Sequence, residues 1–208
     1  MVVYVESNFV LELAFRQEQA GSCREILEVC RGGRARLVLP AFCAAEPFQA
    51  FVGRSKERKR AANDLTIQLG QLARSETFGE EAAEALQRVT GLLVRSTEEE
   101  RAGLQSALQD LLDVAVVIPM DLGIIRNAAE LEGSFRLSPQ DAIVLASVLE
   151  HLTDARPGKS CFLNRNAKDF DDPDVVAALD RRGCKLIPRF DHGLSYVQGV
   201  VGPPARGI

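Results

Sequence analysis

Residues 2–8, V-V-Y-V-E-S-N, put four apolar, largely β-branched residues directly before a glutamate, a serine and an asparagine. The apolar run is too short for a helix and reads as a buried strand. The abrupt polarity marks where that strand ends. The same pattern recurs outward along the chain. Residues 35–39 (A-R-L-V-L) form a strand closed by Pro40, residues 114–118 (V-A-V-V-I) a buried strand ended by Pro119, residues 160–163 (S-C-F-L) a short one, and residues 185–187 (K-L-I) a last one before Pro188. Helical stretches lie between them. One starts near Asn8. A second has the S-x-x-E spacing of Ser22 and Glu25 and an apolar stripe of Ile26, Leu27, Val29 and Cys30, and is stopped by Gly32 and Gly33. A third carries Phe42, Glu46 and Phe51, with Pro47 early in it or at a kink. Residues 121–132 are helical. Ser138, Pro139 and Asp141 open another helix, as cap, first-turn proline and third-position acid, and Asp172 and Pro173 start one that Gly183 ends. Strands alternating with helices predict an α/β fold, a three-layer α/β/α sandwich with a mostly parallel central sheet.

Residues 54–113 depart from this rhythm. They are rich in Arg, Glu, Gln, Ala and Leu, with breaks near Ser75–Gly79 and Ser96–Thr97, where Thr97 and Glu100 again have capping-box spacing. They read as two or three helices inserted in a single domain spanning 1–190. Residues 191–208 form a C-terminal tail, and its last stretch, G-V-V-G-P-P-A-R-G-I, reads as loose.

At 208 residues, with 46% hydrophobic and 26% charged residues, the chain is neither disordered nor fibrous. A net charge of −4 excludes a polybasic nucleic-acid wrapper but not an enzyme that approaches nucleic acid through a metal. Five cysteines without a C-x-x-C pair, and only two histidines, argue against a zinc ribbon or a disulfide scaffold. The cysteines read as small buried hydrophobes in a reducing cytoplasm. The start M-V-V-Y-V-E lacks a signal peptide's basic region, and no apolar stretch approaches the length of a membrane span, so no membrane association is expected.

In a parallel sheet, ligands gather beyond the carboxyl ends of the strands. The polar residues there are Glu6, Ser7 and Asn8 after the first strand, Asp121 after V-A-V-V-I, and Asn164, Arg165, Asn166 and Asp169 after S-C-F-L. Two further acids, Glu46 in A-F-C-A-A-E-P-F and Asp141 in S-P-Q-D-A-I-V-L, sit among apolar residues at helix starts. A carboxylate in apolar surroundings is costly unless paired or bound to a cation, and several facing one pocket repel each other until a divalent ion joins them. Oxygen ligands suit Mg2+ or Mn2+. Glu6, Glu46, Asp141 and Asp169 are acids so placed at strand ends and helix starts along the whole chain.

These residues resemble the PIN domain, the nuclease fold that includes VapC-type toxins. The strand into V-Y-V-E-S-N, Pro40 with Glu46, the helix start L-S-P-Q-D-A-I-V-L-A-S and the loop F-L-N-R-N-A-K-D-F stand where that family has its four acidic motifs. Two positions depart from the family: its first acid is usually Asp where this chain has Glu6, and its usual Thr is Asn164 here. The resemblance implies metal-dependent hydrolysis of phosphodiester bonds, typically in RNA, with Glu6, Glu46, Asp141 and Asp169 as the catalytic acids and metal ligands that would hold one or two ions to polarise the phosphate and activate a water. Asn8, Ser138, Asn164 and Asn166 would orient acids, water or phosphate. Phosphate contacts would come from the basic run G-R-S-K-E-R-K-R, Arg54 and Lys56 foremost. Toxins of this family are usually neutralised by a small antitoxin and often dimerise, so an antitoxin or other protein and a second copy are the expected partners besides RNA. The alternative is a catalytically weak module of the same fold that binds RNA or protein.

Other metal-acid folds fit less well. A haloacid-dehalogenase-type phosphotransferase needs D-x-D-x-T where the chain has E-S-N-F-V, and a receiver-like domain needs an acidic pair that is missing. Gly158-Lys159-Ser160 is only the end of a phosphate-binding loop and precedes a strand instead of following one.

Overall fold

The computed structural model describes residues 1–166 and 170–202. Five strands form one sheet: β1 (Val2–Val5), β2 (Arg36–Pro40), β3 (Val116–Ile118), β4 (Ser160–Leu163) and β5 (Cys184–Ile187). Their order is β3-β2-β1-β4-β5, and every neighbouring pair is parallel. The chain builds outward from β1 through β2 to β3, then returns to the other side of β1 with β4 and β5. The direction of winding thus reverses between β1 and β4, which opens a crevice at their carboxyl ends.

Among the described residues the helices are α1 (Ser7–Phe15), α2 (Ala20–Arg31), α3 (Ala41–Leu72), α4 (Gly79–Leu112), α5 (Leu122–Phe135), α6 (Pro139–Ala155), α7 (Pro173–Asp180) and, after the last strand, α8 (Phe190–Val201). Right-handed crossovers put α1 to α4 on one face of the sheet and, once the winding reverses, α5 to α7 on the other. The packing agrees. α1 lies against α2, α3 and α4, α2 against α8, and α5 against α6. The result is the expected three-layer α/β/α sandwich. Its centre is dry: Val3, Tyr4, Val5, Leu37, Val38, Leu39, Cys161, Phe162 and Leu163 have no exposed surface. All five cysteines are buried and free, as their apolar neighbours suggest, and burial pushes their thiols up.

Several local expectations are corrected. α2 begins at Ala20, so Ser22 lies inside the helix and does not cap it. The residue ahead of the helix, Gln19, is held by tertiary bonds: its amide donates to Glu12 Oε2 (2.9 Å), and its Oε1 accepts from the Phe190 amide (2.7 Å). The break at Ser96–Thr97 is absent. Both hydroxyls donate back to the Leu93 carbonyl, and α4 runs unbroken, so 54–113 holds two helices, most of α3 and all of α4. V-A-V-V-I is not a buried strand. Only Val116–Ile118 pair, at the edge of the sheet, and Val116 and Val117 are exposed. The stretch from Asp191 to Val201, expected as tail, belongs to α8. Phe190, Gly193 and Val197 recur at helical spacing and are buried.

Candidate functional site

Glu6 leaves β1 and caps α1. Its Oε2 accepts from the Asn8 amide at 2.7 Å, and its Oε1 accepts from the Arg165 amide, beyond β4, at 3.4 Å. The carboxylate is therefore shared between the two strands that flank the crevice. It is 6% exposed. Burial pushes its pKa up to about 7, the hydrogen bonds from Asn8 and Arg165 work against that rise, and the charge of Glu46 adds to it.

Glu46 comes from the second turn of α3, which starts directly after β2, and the Ser7 hydroxyl donates to its Oε2. Asp141 comes from the first turn of α6, on the opposite face of the sheet. There Ser138 Oγ accepts from the Asp141 amide at 3.2 Å, the cap that S-P-Q-D predicts, and also donates to Asp141 Oδ2 at 2.6 Å. After β4, Asn164 is buried, and its Oδ1 accepts from the Asn166 amide at 2.7 Å. Asn166 Nδ2 donates to Asp141 Oδ1 at 3.2 Å.

Glu6, Asn8, Glu46, Asp141, Asn164 and Asn166 line one cavity of about 130 Å³, together with Ser7, Gln140 and the apolar Leu11, Ala50 and Val144. Three acids from three elements thus face the same space at the carboxyl ends of β1, β2 and β4. Asp169, the fourth candidate, lies outside the described residues. Among the described residues no three Asp, Glu, His or Cys side chains stand close enough to hold one ion between them. The donor set itself, carboxylates and side-chain amide oxygens, fits a hard divalent cation. The buried Glu6 charge is the group that such a cation would offset most.

The basic run is divided in its roles. Arg58 is spent on α4, where both its Nη atoms meet Glu100, one at 2.8 Å. Arg54 stacks over the Phe15 ring, 4.4 Å from its centroid, and lies 3.9 Å from Glu100. Lys56, Lys59 and Arg60 are exposed. The sequence places Ser7 and Arg165 beyond the strand ends without a role for either, and it does not point to Gln140 or Glu12. Glu12 had a signal of the same kind as Glu46, a lone acid in the apolar run F-V-L-E-L-A-F.

The Glu6 shift has a measurable consequence. Its folded pKa lies above the unfolded value, so the folded state binds the extra proton between about pH 4.5 and 7. Stability is therefore greatest below that window and falls as pH rises through it. Thermal melts of the metal-free wild type should drop between pH 5 and 8, and Glu6→Gln should flatten that drop. Equal slopes in the two proteins would contradict the burial of an uncompensated Glu6 charge.

A family model of the PIN domain matches residues 3–170. The chain belongs to the PIN domain family, whose members are typically nucleases that use divalent metal ions. The comparisons with curated proteins and with solved structures give no match. No helix among the described residues is long and apolar enough to cross a membrane.

Proposed function

We propose that the protein hydrolyses phosphodiester bonds in RNA, as a toxin-like ribonuclease of VapC type with Glu6 in place of the usual first aspartate. One observation carries this reading: Glu6, Glu46 and Asp141 reach a single cavity from three elements, with Asn164 and Asn166 beside them. Glu6, Glu46, Asp141 and, from outside the described residues, Asp169 would hold Mg2+ or Mn2+. When bound, that ion supplies the charge that polarises a phosphate and acidifies a water. The chain's own groups set the geometry: Ser7 holds Glu46, while Ser138 and Asn166 hold Asp141. Without a cation the three carboxylates repel a phosphodiester, so the metal is required for substrate approach as well as for chemistry. Lys56, with exposed Lys59 and Arg60, would meet the RNA backbone, and Arg54 the strand as it leaves the cavity. An antitoxin or a second copy is the proposed protein partner, and the cytoplasm the proposed compartment.

A second reading is favoured by the two backbone amides that Glu6 already accepts. A first acid engaged as a helix cap suits a catalytically weak module that binds RNA or protein. Incubating single-stranded RNA with the protein and Mn2+, Mg2+ or EDTA separates the two, alongside a calorimetric titration with Mn2+. Cleavage that EDTA stops, with measurable Mn2+ binding, is the expected result. RNA binding with neither would establish the module.

A further inference from the structure

We infer that Glu12 and Arg165 are positioning residues for the carboxylate site, an ion pair that clamps the 164–166 loop along α1 and so sets where Glu6 and Asp141 face each other; this rests on the proposed nuclease reading.

Glu12 is 1% exposed on α1. A carboxylate that deep needs partners, and it has two: the Gln19 amide and Arg165 Nη1. Arg165 Nη2 continues to the exposed Glu18 at 3.0 Å. The backbone amide of the same arginine donates to Glu6 Oε1. Glu6 and Glu12 are six positions apart along α1, about 9 Å of helix axis. Arg165 therefore grips α1 twice, at its cap with the main chain and near its middle with the guanidinium.

The next residue completes the device. Asn166 carries a side-chain bond to Asp141 on α6, and its amide is fixed by Asn164. A continuous path thus runs from Glu12 on one layer, through Arg165 and Asn166, to Asp141 on the other. Neither Glu12 nor Arg165 lines the cavity. Their effect reaches the candidate ligands only through the loop.

The competing explanation is that Arg165 merely neutralises a buried charge. Glu12 is buried and Arg165 half-buried. Replacing both partners of an ion pair whose carboxylate is buried by neutral residues of similar size is often close to neutral for stability, so stability and positioning can be separated. In Glu12→Gln/Arg165→Met, the new carboxamide still accepts from the Gln19 amide, while the charge and the clamp are both gone. We expect a melting temperature near that of wild type. In the metal-free protein, amide hydrogen exchange at Arg165 and Asn166 should quicken at least about tenfold, since these bonds then open locally. Mn2+ affinity by calorimetry should fall about 10- to 100-fold, the usual effect of losing an orienting partner. Turnover should fall in the same proportion with little change in KM for RNA. Arg165→Lys keeps the charge but not the planar fork and should recover only part of the protection.

Unchanged exchange and unchanged Mn2+ affinity in a double variant of wild-type stability would overturn the clamp. If the double variant does not fold, exchange in Arg165→Lys decides, and wild-type protection there would also overturn it. Faster exchange in variants of a wild type that cuts no RNA would leave the clamp standing and remove the nuclease reading instead.

Discussion

Asp141→Asn should lower metal-dependent RNA cleavage at least about 100-fold while leaving the protein folded. The loss expected from disturbing a mere orienting partner of a metal ligand is about 10- to 100-fold, so removing a proposed ligand's charge belongs at or beyond the upper end. The substitution is close to isosteric. One oxygen remains to accept from Asn166 Nδ2, and the Ser138 hydroxyl, which now donates to Oδ2, can turn to accept from the new amide. The capping bond from the Asp141 main chain to Ser138 is untouched. What the fold loses is a favourable charge at the α6 N-terminus, worth about 0.3–1 kcal/mol. Initial rates on single-stranded RNA with Mn2+, taken with a thermal melt, check both halves. Equal cleavage by the two proteins would remove Asp141 from the reaction and the nuclease assignment with it.

Gly103→Ala should destabilise the protein by about 2–3 kcal/mol, although alanine is the better helix former by about 1 kcal/mol. Gly103 sits inside α4, and a Cβ there would stand 2.3 Å from the Ala14 carbonyl oxygen and 3.3 Å from its carbon. These are main-chain atoms of α1, so no side chain can swing away, and α4 would have to lift off. That movement disturbs Leu104, Ala107, Leu108 and Leu111, all buried on the same helix. For a chain of this size the melting temperature should fall by about 5–10 °C. Gly91→Ala, whose new methyl meets no atom within 4 Å beyond its own stretch of helix, is the control and should not destabilise. A Gly103→Ala protein that melts at or above wild type would show that the α1–α4 contact tolerates separation.

The features legible in the sequence were those set by neighbours in the chain. V-V-Y-V into Glu6 gave a strand and its end because burial stops where polarity starts. S-P-Q-D gave the α6 cap because the bond spans three residues. Glu46 and Asp141 stood out as acids in apolar surroundings, and both face the cavity. Features that depend on distant partners were not legible. The exposure of Val116 and Val117 follows from the strand order, which places β3 at the edge. Thr97 carries the residues of a cap, but a threonine hydroxyl can also donate to the carbonyl four residues back, and α4 uses it that way. Arg165 looked like one charge in a polar loop, and only the fold brings it to Glu12, 153 positions earlier.

The length of α3 gives the site a mechanical property. Glu46 stands near one end of a helix of 32 residues, about 48 Å, that runs on without interruption to Leu72. The helix also contains Pro47, whose missing N–H leaves one fewer rung in the hydrogen-bond ladder beside that carboxylate. α3 is thus a beam with its softest point next to Glu46. A bend of a few degrees there sweeps the far end through several ångströms, so the long arm can follow α4, against which it packs, while Glu46 stays with the short first turns anchored on β2.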